Sequence, residues 1–417
     1  MIMGNSQLTN YGGQSRLDLK PRIGWLIIGI ILIGANLRAS LTSVGPLIAA
    51  IRDDLGISNA LAGVITTIPL LAFAFLSPFA SHLARRFGME LTLLMSLVIL
   101  TIGIGIRSFV GKETLFIGTI LIGSSIAIGN VLLPSLIKYH FMKQIGMMTG
   151  LYAVSMNLFG AVGSGISIPI SSSLGLGWSG ALGCWGLLSL LAIFIWLPQL
   201  QYQQKSVQVK KSGEEVKSIS LWRSRLAWNV TLFMGFQSFI FYTVITWIPD
   251  ILEEKGVNTH EAGWTLSLMQ LAMLPVTFLV SILAGRLKSQ RLLVAAAASL
   301  LIFGFVAIMY GDTLLMPLWM IIIGIGIGCA FSLAMMFFSL RTQNANEAAE
   351  LSGMAQSLGY LLSAIGPVLF GWLHDVTHSW TAPLYMLVFT SVIVLISGIR
   401  AAKNEYVPIK GSSLKAI

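Results

Sequence analysis

Long apolar stretches separated by short polar clusters run through the whole chain. A helix needs about 20 mainly apolar residues to cross the hydrocarbon core of a bilayer, and twelve stretches approach or exceed that length. The pattern therefore predicts an all-α membrane protein with twelve transmembrane helices. The predicted spans are residues 22–51, 58–82, 89–109, 114–137, 146–171, 178–198, 224–249, 261–285, 291–311, 313–340, 348–373 and 381–401.

One long polar interruption divides this pattern into two halves. Residues 199–223 carry seven charged side chains and separate two apolar blocks of nearly equal length. The apolar stretch that starts at Ile23 exceeds the roughly 7–15 residues of a signal-peptide core, so we expect it to be kept as the first span. The predicted organisation is an N-terminal tail (1–21), a six-helix bundle (22–198), a linker (199–223), a second six-helix bundle (224–401) and a C-terminal tail (402–417).

Composition agrees with a membrane protein and excludes several other classes. Hydrophobic residues make up 55% of the chain and charged residues only 10%, whereas a soluble domain carries about a quarter charged residues. A cytosolic enzyme and a disordered protein are therefore excluded. Cys184 and Cys329 both lie in apolar stretches, which predicts neither a disulfide framework nor a CxxC site.

The net charge of +10 is explained by topology, without a nucleic-acid partner. With the N-terminus on the inner side, 21 of the 26 Lys and Arg residues fall on that side and four on the outer side. Lys and Arg concentrate in the cytoplasmic loops of membrane proteins. We therefore predict a multi-pass protein of the cell membrane with both termini and the linker in the cytoplasm, and with the lipid bilayer as its surroundings.

The two halves also resemble each other in sequence. When the second half is shifted by 200 residues, Leu61–Leu94 aligns with Glu261–Val294, and nine of these 34 positions are identical. The same shift pairs Gly56 with Gly256. Each repeat has six spans, so both halves would cross the membrane with the same topology. Two such repeats, related by an axis along the membrane normal, are typical of alternating-access carriers.

The loop after the second span resembles a motif of a known family. The major facilitator superfamily has the loop pattern G-x-L-A-D-R-x-G-R-R, and this chain has Ser81-His82-Leu83-Ala84-Arg85-Arg86-Phe87-Gly88-Met89-Glu90. The matching positions are Leu83, Ala84, Arg86 and Gly88. Arg85 replaces the usual Asp, and a carboxylate follows at Glu90. This altered form resembles the CynX/NimT branch, which is named for cyanate and 2-nitroimidazole transport, and Ala35–Ala39 and Gly235–Ser238 support the placement.

The resemblance implies the major facilitator fold, which consists of two pseudo-symmetric six-helix bundles. It also implies transport of a small-molecule substrate by alternating access. We expect a monomer with no cofactor, no metal and no catalytic residues. The sequence has no nucleotide-binding P-loop and no intramembrane carboxylate for a proton relay. Proton symport, exchange and uniport all stay open.

Arg38 is the charged residue that the pattern places inside a span. It lies 16 residues from Arg22 and 14 from Arg52, which is roughly 20 Å from either end of a helix. A charge at that depth costs at least about 2.5–3.5 kcal/mol, so it should face a wet cavity or a partner. A packing salt bridge would need a carboxylate at the same depth, but all sixteen acidic residues fall in predicted loops or at span ends. We therefore predict that Arg38 contacts the substrate.

Arg38 and its repeat counterpart suggest the charge of that substrate. The 200-residue shift places Ser238 opposite Arg38, with Gln237 adjacent, so only one half supplies a charge. This asymmetry favours a singly charged or polarised solute, such as a carboxylate, a nitro compound or a small linear anion, because a planar guanidinium suits planar acceptors. Other polar residues at similar depth have either a substrate-binding role or a purely interhelical one. They are Asn36, Asn130, Tyr152, Asn157, Tyr242, Gln270, Gln356 and Tyr360.

The basic loops suggest a cytoplasmic gate between the halves. Arg85, Arg86 and Glu90 face Arg286 of the second half in the predicted topology, and contacts there could lock one state. For Arg286, a pure topology signal is the alternative. Two other functions compete with a solute carrier: a hydrophobic drug exporter, and a polytopic receptor or membrane-embedded enzyme. An enzyme would need clustered acid–base residues, but the five histidines are scattered at span ends.

Overall fold

The structure, a computed structural model, describes residues 16–57, 59–109, 111–202, 221–257 and 259–408. Within these ranges the chain is helical and contains no β-strand. The α-helices of the described residues are α1 (Arg16–Thr42), α2 (Ile48–Leu55), α3 (Asn59–Phe87), α4 (Met89–Arg107), α5 (Lys112–His140), α6 (Ile145–Ile168), α7 (Gly177–Gly183), α8 (Trp185–Trp196), α9 (Arg225–Glu254), α10 (Thr259–Arg286), α11 (Arg291–Tyr310), α12 (Met316–Leu340), α13 (Ala345–Thr377) and α14 (Thr381–Ala401).

Twelve helical segments of the described chain are long and apolar enough to span a membrane, which confirms the predicted fold class. The first span differs most from its prediction. Instead of running to residue 51, α1 ends at Thr42 and a 3-10 turn at Gly45–Leu47 leads into the short α2. Pro46 has no backbone N–H and lies in this turn, which explains why the α-helical hydrogen-bond pattern stops here. The sixth span is likewise divided, into α7 and α8.

Other boundaries shift by a few residues because local capping decides them. Asn344 accepts a hydrogen bond from the Glu347 amide at 3.0 Å, and Glu347 accepts one from the Gln343 amide at 2.7 Å. This reciprocal arrangement is a capping box, which satisfies the free amides at a helix start. As a result α13 begins at Ala345, three residues before the predicted span.

The seam between the two bundles follows the internal repeat. Helix α3 of the first bundle packs on α13 of the second, and α6 of the first packs on α10 of the second. A shift of 200 residues turns α3 into α10 and α6 into α13, so the two contacts are equivalents of each other. Gly56 and Gly256 also take the same left-handed conformation, with φ of 56° and 89°. Only glycine adopts this conformation without a steric cost.

The two ends of the helical assembly differ in charge. The basic face is formed by residues 85–90, 138–145, 286–291 and 341–347. The opposite face is formed by residues 43–57, 107–109, 111–112, 172–178, 254–257, 310–316 and 377–381. Arg85 and Glu350 form an ion pair near the basic face, and Trp178 binds the Asp54 carboxylate at the opposite face.

The described parts of the tails and linker adjoin the basic face. Helix α1 begins at Arg16, a 3-10 segment at Leu197–Tyr202 follows α8, and residues 1–15 and 203–220 lie outside the described residues. The start of the C-terminal tail packs on the second bundle, where the Val407 amide donates to the Arg341 carbonyl oxygen at 2.9 Å and the Val407 side chain is buried. Residues 409–417 are also outside the described range.

Candidate functional site

A cavity lies at mid-depth on the seam between the two bundles. It consists of two small adjoining pockets, which share Arg38, Tyr242, Phe331 and Tyr360 as lining residues. Since Arg38 comes from the first bundle and the other three from the second, both bundles form its walls. The residues that line either pocket include no Asp or Glu.

Arg38 enters this cavity from α1 and is half-buried. Its Nη2 donates to Asn157 Oδ1 on α6 at 3.3 Å, and its Cζ lies 4.9 Å from the ring centroid of Phe241 on α9. No described carboxylate lies within ion-pair distance of the guanidinium. The predicted solitary charge therefore faces a cavity and contacts a neutral amide and an aromatic face. A cation over an aromatic ring is stabilised by about 0.5–2 kcal/mol.

Glycines of α6 explain how Arg38 reaches the seam. A Cβ atom on Gly160 would lie 2.5 Å from Arg38 Cγ, and one on Gly163 would lie 3.0 Å from the Ala39 carbonyl oxygen. Thr42 Oγ1 adds a hydrogen bond to the Gly160 carbonyl oxygen at 2.7 Å. The small-residue face of α6 therefore lets α1 approach closely, as expected for packing between membrane helices. This approach orients the arginine side chain.

Aromatic side chains from both bundles surround the guanidinium. The rings of Phe73 on α3 and Tyr360 on α13 have centroids 4.9 Å apart across the seam. Tyr152 on α6 is fully buried, and its hydroxyl donates to Met335 Sδ on α12 at 3.2 Å. The cavity thus combines one positive charge with flat apolar faces and phenol hydroxyls. These groups suit a small anionic or polarised ligand with a planar part.

A hydrogen-bonded layer closes the cavity toward the basic face. Gln356 Nε2 on α13 donates to the Asn130 carbonyl oxygen on α5 at 3.0 Å. One residue further, Ser357 Oγ donates to the Ala74 carbonyl oxygen on α3 at 2.5 Å. Both bonds cross between the bundles, so they stabilise a closed seam below the cavity.

The structure brings most of the predicted substrate-contacting residues together. Those that line the cavity are Arg38, Asn130, Tyr152, Gln237, Ser238, Tyr242 and Tyr360. Gln356 belongs to the closing layer below them. Asn36 lies elsewhere: it is fully buried, and its Nδ2 donates to the Leu32 and Leu188 carbonyl oxygens at 2.8 and 3.3 Å. Gln270 on α10 is half-buried and does not line either pocket.

Arg38 is not the only basic group enclosed by the helices, which corrects the sequence interpretation. Arg107 was counted among the four basic residues of the outer side, at the end of the predicted span 89–109. The structure buries it: it is the last residue of α4 and only 1% of its surface is exposed. Lys138 was counted on the inner side, and it does lie at the basic face, but its side chain is buried in the seam. Both residues lie within a turn of a span end, where sequence alone does not distinguish a buried side chain from one that reaches water.

At the basic face, only part of the predicted gate spans the two bundles. Arg85 Nη1 forms an ion pair with Glu350 Oε1 on α13 at 2.7 Å. Glu90 instead approaches His140 of its own bundle, with Nε2 and Oε1 3.5 Å apart. Arg86 is exposed and its Cζ lies 5.3 Å from the centroid of the Phe87 ring, while Arg286 is also exposed. The ion pair that crosses the seam therefore uses Arg85, the position where the family pattern has Asp.

Lys138 forms a second connection across the seam. Its Nζ donates to the Ser339 carbonyl oxygen at 2.6 Å, to Thr342 Oγ1 at 2.9 Å and to the Thr342 carbonyl oxygen. These oxygens lie at the C-terminal end of α12, where backbone carbonyls have no partner within the helix. The ammonium group of the first bundle thus caps a helix of the second.

Arg341, which directly follows α12, makes further contacts at the C-terminal end of this helix. Arg341 donates to Gln290 Oε1, and its Cζ lies 5.4 Å from the centroid of the Phe337 ring. Burial lowers the pKa of Arg341 to about 10, while nearby Tyr406 and Glu405 oppose this shift. The arginine therefore stays protonated near neutral pH.

Several groups of the site were not predicted from the sequence. Phe73, Phe241 and Phe331 line the cavity, but phenylalanine at these positions looks the same as phenylalanine facing lipid. Asn157 was identified by its depth alone. Within the described residues, no group of three or more His, Cys, Asp or Glu side chains is placed to hold a metal ion.

Comparisons with known proteins agree with the fold and the loop motif. The family model of the Major Facilitator Superfamily matches residues 26–367. The chain is 50% identical over 384 residues to the "Uncharacterized transporter YycB" of Bacillus subtilis, covering 92% of this chain and 94% of that protein. It is 39% identical to the 2-nitroimidazole transporter of Escherichia coli, covering 95% of this chain and 98% of that protein. Identity to the Escherichia coli cyanate transport protein CynX is 25%, with coverage of 85% and 91%.

A solved structure supports the same architecture. The proton:xylose symporter XylE, bound to 6-bromo-6-deoxy-D-glucose, superposes with a TM-score of 0.71, covering 93% of this chain and 98% of that chain at 14% identity. At that identity the likeness concerns the fold alone. Members of the family are transporters, which are not enzymes. The chain belongs to the Major Facilitator Superfamily, and its relatives are consistent with the branch that contains the CynX and 2-nitroimidazole transporters.

Proposed function

We propose that this transporter carries a small, singly charged or strongly polarised solute through the cavity at Arg38. The observation that carries the proposal is a guanidinium in a cavity whose lining residues include no carboxylate. Such a site attracts an anion or a nitro group by charge and by planar hydrogen bonding. The single charge favours a monoanion over a dianion, and the surrounding rings of Phe241 and Tyr360 favour a flat solute.

The names of relatives support this class of solute. Similar chains are called a 2-nitroimidazole transporter and a cyanate transport protein, and more distant ones a nitrite extrusion protein and a probable nitrate transporter. All four names refer to a small solute that is planar or linear and negatively charged or carries a nitro group. Export of hydrophobic drugs is less well supported, because such a solute does not require an arginine in the cavity. A receptor or enzyme function is disfavoured by the family.

We further propose that transport proceeds by rocking of the two bundles about the cavity, with the basic face in the cytoplasm. The bias of Lys and Arg supports this orientation. The bonds of Gln356, Ser357 and Lys138 all cross the seam on the basic side of the cavity. In that orientation the structure corresponds to a state closed toward the cytoplasm. Opening on this side must break these bonds, as expected for alternating access.

Uptake into proteoliposomes tests the class of solute. The purified protein is expected to take up labelled cyanate or 2-nitroimidazole, and unlabelled nitrate, nitrite and small aromatic carboxylates should compete. Sulfate carries two charges at neutral pH and should compete at least tenfold more weakly. Equal competition by sulfate, or competition only by hydrophobic cations, would contradict the proposal. Empty liposomes and liposomes with Arg38→Met protein provide the baselines.

Gly160→Ala is expected to raise the KM for uptake about tenfold with little change in folding. The added methyl group would lie 2.5 Å from Arg38 Cγ, so the side chain must move and its guanidinium leaves the Asn157 contact. A loss near 1.4 kcal/mol corresponds to a tenfold change in affinity. Gly165→Ala in the same helix is the matched control, because its Cβ would meet nothing within 4 Å. Equal KM values for the two variants would show that the position of Arg38 is unimportant.

A further inference from the structure

A second buried arginine of the first bundle, Arg107, contacts α1 near Arg38 but does not line the cavity. Arg107 ends α4, and its Nη1 donates to the Ser40 carbonyl oxygen of α1 at 2.8 Å. Ser40 follows Arg38 by two residues, so the two arginines contact the same turn of α1 from different sides. Arg107 lines neither pocket of the cavity.

The other two nitrogen atoms of the Arg107 guanidinium have no partner. Nε and Nη2 are both buried and make no hydrogen bond. These two nitrogens form the edge of a guanidinium from which two N–H bonds point in parallel, and this edge binds two-oxygen anions in a bidentate manner. The Ser40 hydroxyl is also buried without a partner. Three unused polar groups are therefore found on two residues that touch.

The position of Arg107 is fixed by close helix packing. A Cβ atom on Gly118 of α5 would lie 2.5 Å from the Arg107 backbone nitrogen and 2.6 Å from its Cβ. A Cβ on Gly103, one turn earlier in α4, would meet the Gly118 carbonyl oxygen at 3.1 Å. Helices α4 and α5 thus approach each other at glycines. This close approach fixes the backbone and Cβ of Arg107, while the bond to the Ser40 carbonyl oxygen orients its guanidinium.

The described surroundings supply only part of the compensation that a buried charge needs. The carbonyl of Ser40 belongs to the last turn of α1, where the helix dipole is negative and favours a cation. In the part of the chain that the structure describes, no carboxylate lies within 4.0 Å of Arg107. Buried charges in proteins are paired, and nearly all buried polar atoms have a hydrogen-bond partner. An unpaired guanidinium edge therefore points to a missing ligand.

We infer that Arg107 and Ser40 form a second binding site, for a small inorganic anion inside the first bundle. The anion accepts hydrogen bonds from Nε and Nη2 of Arg107 and from the Ser40 hydroxyl, and it neutralises the buried charge. A halide and a planar anion such as nitrate both have this chemistry. The occupant is thus either a resident chloride or an anion of the transported class. The site is independent of the proposed transport role of Arg38.

Thermal unfolding in different sodium salts tests this second site separately from the cavity. The protein with Arg38→Met, which lacks the charge of the cavity, is compared in gluconate, chloride and nitrate at equal ionic strength. Nitrate or chloride at about 100 times the dissociation constant should raise Tm by about 2–4 °C relative to gluconate. Stabilisation by both anions indicates a resident chloride site, and stabilisation by nitrate alone indicates an anion of the transported class.

The added substitution Arg107→Met should abolish this difference between salts. Arg52→Met, at a partly exposed arginine on the same face as Arg107, should preserve it. Arg38→Met protein crystallised with bromide offers a measurement that does not need the double variant to fold. Where chloride stabilises the protein, we expect an anomalous peak within hydrogen-bond distance of Arg107 Nε and Nη2, and its absence would overturn the inference. Equal Tm values of the Arg38→Met protein in all three salts would overturn it as well. Failure of the uptake assay alone would leave it unaffected.

Discussion

Replacing Arg38 with methionine is expected to lower the initial rate of solute uptake about 100-fold while Tm stays within a few degrees. The cavity walls contain no other charged residue, so its removal leaves only neutral donors for an anion. A hydrogen bond to a charged group contributes about 1.5–3 kcal/mol, and 2.8 kcal/mol corresponds to a 100-fold change in affinity. Folding should be little affected, because Arg38 contacts neutral side chains, among them Asn157 and Tyr242, and forms no ion pair with a described carboxylate.

The lysine variant separates charge from shape. Arg38→Lys keeps a positive charge but loses the planar pair of donors and the flat contact with Phe241, so we expect a loss of about tenfold. The matched control is Gln270→Met, because Gln270 is a polar residue of a neighbouring span that does not line the cavity. Its KM should equal that of the native protein. Uptake of cyanate at native rates by Arg38→Met would remove the arginine from the binding site.

Twelve spans, two repeats and Arg38 were predictable because the bilayer imposes simple rules on sequence. Span length follows from membrane thickness, and an isolated charge in a long apolar stretch is conspicuous. The same repeat relates the α3–α13 contact to the α6–α10 contact in the structure. These features depend only on the identity of single residues and on their spacing along the chain, so they can be predicted from the sequence.

The pairing of side chains across the seam could not be predicted in the same way. Asn36 and Asn130 have the same chemistry and similar depth, but the rotation of each helix directs the first toward α8 and the second toward the cavity. Arg107 and Lys138 lie at span ends, where snorkelling to water is the usual outcome. Their burial depends on glycine contacts and on the neighbouring bundle, which involve residues distant in sequence.

The charged residues of the basic face include one contact that the sequence predicted and one that it did not. The basic loops predicted a gate that includes Arg85, and Arg85 does form an ion pair with Glu350 across the seam. However, both side chains are partly exposed, and exposed ion pairs contribute about 0.2–1 kcal/mol. Lys138, which no motif indicated, makes more and better-shielded bonds across the seam. The strongest polar connection between the bundles is therefore expected at Lys138.

Replacing Lys138 with methionine is expected to shift the two-state equilibrium of the bundles about 100-fold toward opening at the basic face. The ammonium donates to Ser339 and Thr342 across the seam. Its loss removes the donor to the Thr342 carbonyl oxygen and leaves the Ser339 carbonyl oxygen with only a 3.5 Å bond from Thr342 Oγ1. Leaving such groups unsatisfied costs about 1–3 kcal/mol, and more where a charged donor is lost. A change of roughly 3 kcal/mol corresponds to the stated shift. Because the state closed at the basic face is the one destabilised, this variant should also need more solute when solute is supplied at the opposite face.

Distances between labels on the two bundles measure this shift directly. Cysteines at Met142 and Leu287, which are exposed on opposite bundles at the basic face, can be spin-labelled after Cys184 and Cys329 are replaced. The native protein should show mainly the short distance and Lys138→Met mainly the longer one. Lys143→Met removes an exposed lysine five residues away and should behave like the native protein. Arg85→Ala should shift the populations by less than about tenfold, because its ion pair is partly exposed. If Lys138→Met kept the short distance while Arg85→Ala lost it, the surface ion pair rather than the buried helix cap would hold the seam closed.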